Sequence, residues 1–322
     1  MADGTARAIE LGPTQKANRL AEIRELPALI FLALIVSALW LAKPNFGSST
    51  NLLTTARDMA IVGIMGAGMT MVILTAGIDL SVASVLAFSA AVMAKMMVGG
   101  DSIWLAVPAA LAVGTACGAG NAFLITQLRV PPIIATLGTM GILRAGVTLY
   151  TGAKWIGPLP DRFYFIGTGY APFILLSVVI AACSVFLLRS MPGRYVYATG
   201  GNEEAVRLSG VSVAKTKFIV YTLNGLLASV AGLIMASSMS SAQSNMAMGY
   251  ELNVIAAVVI GGTSITGGQG SVLGTLIGAA IMAVLYNALI LLGIPIYWHK
   301  VITGAVILMA VLFDRIRIFK RQ

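Results

Sequence analysis

Residues 252–299 read LNVIAAVVIGGTSITGGQGSVLGTLIGAAIMAVLYNALILLGIPIYWH, 48 consecutive positions between Glu251 and Lys300 without one Asp, Glu, Lys or Arg. A water-facing domain cannot hide so long an apolar run, whereas ~20 residues at 1.5 Å rise cross a ~30 Å hydrocarbon core. Further charge-free intervals run over 26–42, 59–78, 102–128, 163–188 and 218–250. Across the 322 residues, 58% are hydrophobic and 10% charged, against roughly 45–50% and about 25% in soluble domains. The chain reads as a polytopic membrane protein.

Backbone amides in hydrocarbon must bond within their own segment, so the apolar runs default to helices. Ten are expected, at 27–43, 58–77, 80–98, 103–126, 132–150, 171–189, 218–238, 251–266, 271–291 and 296–313. The first is expected to stay as a membrane helix and not a cleaved leader, since it continues into Trp40-Leu41-Ala42-Lys43-Pro44 with no small residue three before Ala42. Ten crossings put both termini on one side. Arg7, Lys16, Arg19 and Arg24, Arg315, Arg317, Lys320 and Arg321, Arg129, and Arg189, Arg194, Arg207, Lys215 and Lys217 then share that face, 14 of the 21 basic residues. The positive-inside bias makes it cytoplasmic, and Trp40, Trp104, Trp155 and Trp298 fall at the opposite helix ends, as headgroup-level tryptophans do. The expected architecture is all-α, with a cytoplasmic tail at 1–26, a transmembrane domain at 27–313 containing a cytoplasmic loop at 190–217, and a second tail at 314–322. Gly63, Gly66 and Gly68, Gly114, Gly118 and Gly120, and Gly274 and Gly278 suit close helix packing.

Several chemistries are excluded. One histidine, His299, and two cysteines in separate spans, Cys117 and Cys183, make no metal cluster or disulfide framework. No Gly-Lys dipeptide exists, hence no phosphate-cradling loop of the nucleotide-hydrolase kind. No Ser/His/Asp set can be assembled. The net charge of +9 is spread over span ends rather than gathered in one stripe, so it reports topology and not nucleic acid. Ion coupling would leave carboxylates inside the membrane, and only Asp79 and Glu251 approach helix interiors. A transporter without its own ATPase takes its energy from a partner.

Three segments depart from plain helix or loop. In 190–217, Asn202 suits an N-cap, Glu203 and Glu204 the positive end of a helix, and Gly210 its exit. This predicts a cytoplasmic helix at 203–209 with Ala205, Val206 and Leu208 free to dock, or an ordinary surface helix. In Gly261–Thr275, five glycines within ten residues each weaken a helix by roughly 1 kcal/mol relative to alanine. A broken or re-entrant hairpin fits, as does a flexible cytoplasmic turn. Thr75–Leu86 has the same plan of a short polar break and shares Ser-Val-Leu with it, an echo of the repeats transporters use.

Four ordered motifs, Gly77-Ile78-Asp79-Leu80-Ser81, Pro131–Gly138, Gly200–Gly210 and Val254–Gly278, spread over residues 45–313, resemble the permease subunits of ATP-binding-cassette importers of the ribose/galactose/xylose/arabinose group. Ala83 stands where that family usually has Gly. The resemblance implies a pore subunit without catalysis in the bacterial inner membrane, assembled as a homodimer. It further implies a cytoplasmic ATPase with two fused cassettes, which binds the ATP and magnesium, and an extracytoplasmic sugar-binding protein. The coupling residues it implies are Arg194, Gly200, Asn202, Glu203, Glu204, Ala205, Leu208, Ser209 and Gly210. Polar groups expected near the path are Asp79, Ser81, Asn121, Thr136, Asn253, Thr263 and Ser264. The cargo expected is a ribose-like monosaccharide. The alternatives are a sugar-like signalling molecule resembling autoinducer 2, or an ion-coupled secondary transporter.

Overall fold

The computed structural model describes residues 25–319, and each of the ten apolar segments is helical there. In chain order the helices are α1 Leu26–Ala42, α2 Ser49–Leu74, α3 Val82–Val98, α4 Ile103–Thr126, α5 Pro132–Thr151, α6 Ala171–Arg189, α7 Met191–Gly201, α8 Glu203–Leu208, α9 Val213–Met239, α10 Tyr250–Ile260, α11 Val272–Leu291 and α12 Ile296–Phe319. Pairing of extended backbone among the described residues is limited to one antiparallel bridge between Ile156 and Ala242. By length and composition six helices, α2, α4, α5, α6, α9 and α11, are able to cross a bilayer, while α1, α3 and α10 are shorter apolar helices. Of the basic residues used to orient the chain, Arg7, Lys16, Arg19, Arg24, Lys320 and Arg321 lie outside the described residues, as do the side chains of Arg315 and Arg317.

Helix starts follow side-chain acceptors. Ser48, Ser102, Ser190, Asn202, Ser212 and Ser271 each accept a backbone N–H from the first turn of the helix that follows, answering donors that no intrahelical carbonyl can reach. Two of these caps move boundaries away from the sequence expectation. α2 starts at Ser49 rather than 58, carrying Arg57 and Asp58 within the helix, where they pair at 3.4 Å. α9 starts at Val213 rather than 218, with Lys215 and Lys217 in its first turns. α10 ends at Ile260, not 266, because Gly261 and Gly262 stop it. α7 was not foreseen; Ser190 caps it and Pro192 sits in its first turn, the usual signature of a helix start.

The helices separate into a central set and a flanking set. The apolar window of α2 is 83% buried, against 22% for those of α4, α5 and α6. α2 packs on α9, α11, α6 and α10, while α9 also packs on α4 and α3. The flanks expose large apolar side chains such as Trp104, Leu149 and Leu188, a surface that only lipid or another membrane chain suits.

The expected small-residue packing is present and specific. Gly114 and Gly118 of α4 lie against Gly225, Ser229 and the Tyr221 carbonyl of α9, with no room for a Cβ. Gly68 of α2 lies on Asn224, Gly66 on Thr275, and Gly278 of α11 on the Ala257 carbonyl. Beside Gly66, the hydroxyls of Thr70 and Thr275 meet at 2.5 Å. Gly120, by contrast, faces open space. Gly118→Ala is therefore expected to destabilise the bundle by about 1–3 kcal/mol, and Gly120→Ala to leave it unchanged or slightly better. Thermal unfolding of the two variants in detergent distinguishes them.

Candidate translocation and coupling site

Leaving helical geometry inside a membrane bundle exposes main-chain groups that the surrounding protein must answer. The chain does so twice. After Leu74 the N–H groups of Thr75, Ala76 and Gly77 bond back to Val72, Ile73 and Val72, and Ala76 turns left-handed at φ +58°. Beyond the turn, side chains take over. Leu80 N–H donates to Thr136 Oγ1 at 3.1 Å, and Ser81 N–H donates to Asp79 Oδ1 at 2.9 Å. The Thr136 hydroxyl lies 3.2 Å from the Ile78 carbonyl and 2.9 Å from the Pro132 carbonyl of its own helix.

Asp79 is the centre of this first break. It is 1% exposed. Besides the Ser81 N–H, its Oδ1 accepts the Ser81 hydroxyl at 2.6 Å, and its Oδ2 accepts Asn224 Nδ2 of α9 at 2.8 Å. Asn121 Nδ2 of α4 donates in turn to Ser81 Oγ at 2.8 Å. The carboxyl group is thus met on both oxygens by neutral polar groups. Four of the sequence-predicted path residues, Asp79, Ser81, Asn121 and Thr136, are thus brought into one buried polar knot joining the α2–α3 break to α4, α5 and α9.

The second break, 261–271, is a compact glycine loop. Gly261, Gly262 and Thr263 N–H groups close α10, Ser264 N–H donates to the Gln269 carbonyl at 2.8 Å, and the Ser264 and Thr266 hydroxyls meet at 2.9 Å. Thr263 and Ser264 are buried in it, and Gly270 packs on the Thr263 side chain so closely that no Cβ fits. They do not join the Asp79 knot through any hydrogen bond. What joins the two breaks is main chain: Gly268 N–H donates to the Leu74 carbonyl at 2.9 Å. Gly267 and Gly268 both have positive φ, +87° and +72°, which glycine adopts without steric cost.

The polar loop 190–217 meets both breaks at that hydrogen bond. Gly200, at the end of α7, lies against the Leu74 carbonyl and the Gly268 amide with no space for a side chain. Tyr197, one turn earlier, donates its hydroxyl to the Gly270 carbonyl at 3.0 Å, and burial pushes its phenol above the ordinary range, so it remains a donor.

The helix expected at 203–209 is observed as α8, 203–208. Asn202 Oδ1 accepts Ala205 N–H at 2.9 Å. At the far end Gly210 N–H bonds to the Arg207 carbonyl and Val211 N–H to the Val206 carbonyl, with Gly210 at φ +79°, a Schellman closure. Val206, expected to be free for docking, is buried in the chain itself, whereas Glu204, Ala205, Leu208, Ser209 and Gly210 are exposed. Glu203 is engaged internally, 2.8 Å from Lys217 Nζ of α9. Arg194 is exposed on α7 with a guanidinium nitrogen 2.8 Å from Met191 Sδ.

Asn253 stands apart. It lines a cavity of about 40 Å³ with Asp58, Tyr250, Tyr286 and Thr303 over an apolar floor that includes Val62 and Met282, room for a few waters. Sequence reasoning missed Asn224 and Tyr197. The signal for Asn224 was present, an Asn-Gly pair inside the charge-free interval 218–250, but nothing local said that Asp79 was its partner.

A family model described as branched-chain amino acid transport system / permease component matches residues 51–311. The chain is 44% identical over 304 residues to the ribose import permease protein RbsC of Escherichia coli (strain K12), covering 92% of this chain and 94% of that protein. Against the RbsC of Bacillus subtilis (strain 168) it is 42% identical over 294 residues, 89% and 90% of the two chains. With the autoinducer 2 import system permease protein LsrC of Enterobacter sp. (strain 638) it shares 34% identity over 302 residues, 92% and 88%. Among solved structures, a metal-chelate type ABC transporter in an inward-facing conformation matches with a TM-score of 0.50 and 16% identity, over 92% of this chain and 99% of that one, a likeness of fold alone.

The knot makes a separable prediction. Asp79→Asn turns one acceptor oxygen into a donor facing Asn224 Nδ2 or the Ser81 donors, and is expected to cost about 2–4 kcal/mol. Adding Asn224→Asp restores the acceptor–donor pairing and most of the stability. Thermal unfolding of the single and double variants in detergent reads both, and a double variant no better than the single one removes the pairing from the account.

Proposed function

The chain belongs to the permease-component family of branched-chain amino acid type transport systems, and from that membership we propose that it is the membrane subunit of an ATP-powered importer of a ribose-like monosaccharide. The single observation that carries the coupling part of this reading is α8: a capped helix in the longest polar loop, with Glu204, Ala205 and Leu208 turned outward. Leu208 is 80% exposed on a loop too polar to lie in lipid. A cytoplasmic ATPase with two fused cassettes covers this face and binds the ATP and magnesium. The cargo assignment rests on the ribose import relatives, whose identity to this chain exceeds that of the autoinducer 2 relatives. An extracytoplasmic binding protein delivers the sugar, and two copies of the chain enclose the path in the bacterial inner membrane.

Ten crossings with both termini cytoplasmic are the reading that the basic residues of the sequence support, with six helices long enough to cross and shorter apolar helices making up the rest. In this reading residues 1–26 and 314–322 are the cytoplasmic tails of the 27–313 domain. Asn253 borders open space directly, and Asp79, Ser81, Asn121, Thr136, Thr263 and Ser264 shape the path by holding the breaks beside it. Ion-coupled transport has less behind it, since both oxygens of Asp79 are taken by donors. ATP binding closes the ATPase against α8, and the path switches access because each state of the permease binds that partner differently.

The test is reconstitution of the permease with its ATPase and binding protein in liposomes, following radiolabelled ribose. Uptake is expected only with ATP and all partners present. Glu204→Lys with Leu208→Asp is expected to abolish uptake and ATPase association while leaving membrane insertion intact. Uptake by the permease alone along an ion gradient refutes the reading. Uptake of a furanosyl signal in place of ribose redirects the cargo and keeps the machine.

A further inference from the structure

We infer that Tyr197 and Gly200 are positioning residues of transport: they carry displacement of α8 directly into the α2–α3 and α10–α11 breaks. The inference rests on the reading above, in which α8 receives the ATPase.

Movement of α8 has two exits from the loop. One leads forward to α9, through Ser209–Ser212 and the Glu203–Lys217 ion pair. That segment turns at the left-handed Gly210, and Glu203 is 43% exposed in the pair, so the pair resists displacement weakly. The other leads backward. Asn202 alone separates α8 from α7, and it binds both, accepting Ala205 N–H on its side chain while its own N–H donates to the Ala198 carbonyl at 3.0 Å. The two helices therefore move as one body. The terminal turn of α7 is anchored inward, with Val196 and Thr199 1% and 2% exposed.

At the end of this body Gly200 rests on the Leu74 carbonyl and the Gly268 amide, the two partners of the hydrogen bond that joins the breaks. Backbone lies on backbone there, and close-packed interiors transmit strain because nothing between the groups can yield. One turn back, the Tyr197 hydroxyl holds the Gly270 carbonyl at 3.0 Å, so α7 pulls on the glycine loop as well as pushing on it. Leu74 ends α2 and Gly270 lies just before α11. A tilt of α7 is thus delivered at one place to two pairs of helices. The stretches that receive it, 75–81 and 261–271, are the ones already free of helical geometry, where displacement breaks few intrahelical hydrogen bonds.

The test uses the reconstituted complex and three readings on each variant: ATPase retained on the permease, ATP hydrolysed, and radiolabelled ribose taken up. Tyr197→Phe removes one hydroxyl and keeps the ring. It is expected to retain the ATPase and to hydrolyse ATP within about twofold of the parent, while uptake falls about fivefold, so that ATP consumed per sugar rises about fivefold. Gly200→Ala, which forces Leu74 and Gly268 apart, is expected to raise that ratio further wherever it assembles. Leu208→Asp serves as the contrast, losing the ATPase itself. If Tyr197→Phe leaves ATP per sugar unchanged, with uptake intact or with uptake and hydrolysis falling together, the inference is overturned and the docking of α8 stands. If the parent permease retains no ATPase, the docking reading falls and takes the inference with it.

Discussion

A peptide group that leaves helical geometry in a packed bundle must find a partner in the surrounding protein, and this bundle is arranged around the two places where its helices cannot supply one. At 75–81 the chain recruits Asp79 and Thr136 to answer the N–H groups of Ser81 and Leu80. At 261–271 it turns on glycines and gives Gly268 N–H to the Leu74 carbonyl. Each break thus completes the other. Polar residues that look isolated in an apolar sequence have their reason here: Asn224 answers the second oxygen of Asp79, and Asn121 answers the Ser81 hydroxyl.

The glycine packing and the polar knot are one device. Lipid tails are as apolar as the helices, so no hydrophobic force drives α4 against α9, and contact must come from close packing and hydrogen bonds. Gly114 and Gly118 let the two backbones touch at Gly225 and Tyr221. Asn121 lies one turn beyond Gly118, and Asn224 immediately precedes Gly225. Both amides come within reach of the Asp79–Ser81 turn because the glycines beside them removed the intervening side chains. Filling one of those sites separates the helices and withdraws the donors from a buried carboxylate at the same time, so packing and polar satisfaction fail together.

How much of this was legible depends on whether the signal was local. Apolar length announced the ten apolar helices, and the Asn202, Glu203 and Gly210 pattern announced α8, because caps act within one turn. The starts of α2 and α9 were hidden, since a charge-free interval marks the edge of hydrocarbon and not the edge of a helix; Arg57, Asp58, Lys215 and Lys217 are helical outside that edge. α7 was hidden by Gly193, Gly200 and Gly201, which lower helix propensity, although Gly193 and Gly200 are required where the chain presses on Leu187 and Leu74. Asp79 was visible as a candidate. Its partners were not, because Asn224 lies 145 residues away and only the fold brings it back.

Exposed apolar surface has two explanations in this molecule, and α8 separates them. On α4, α5 and α6 it faces outward along helices made to cross lipid, and lipid accounts for it. α8 has only six residues, too few to hold helical form in water by itself. It is held by the Asn202 cap, the Gly210 closure, the buried Val206 and the Glu203–Lys217 pair, all of which grip its ends or its inner face. None of them touches Leu208, whose full burial is worth about 2 kcal/mol to whatever covers it. A helix fastened on one side and bare on the other, in a loop rich in Arg, Lys and Glu, has a platform's geometry. Its inner fastening continues through α7 to Gly200, which lies on the Leu74 carbonyl and the Gly268 amide where the two breaks meet.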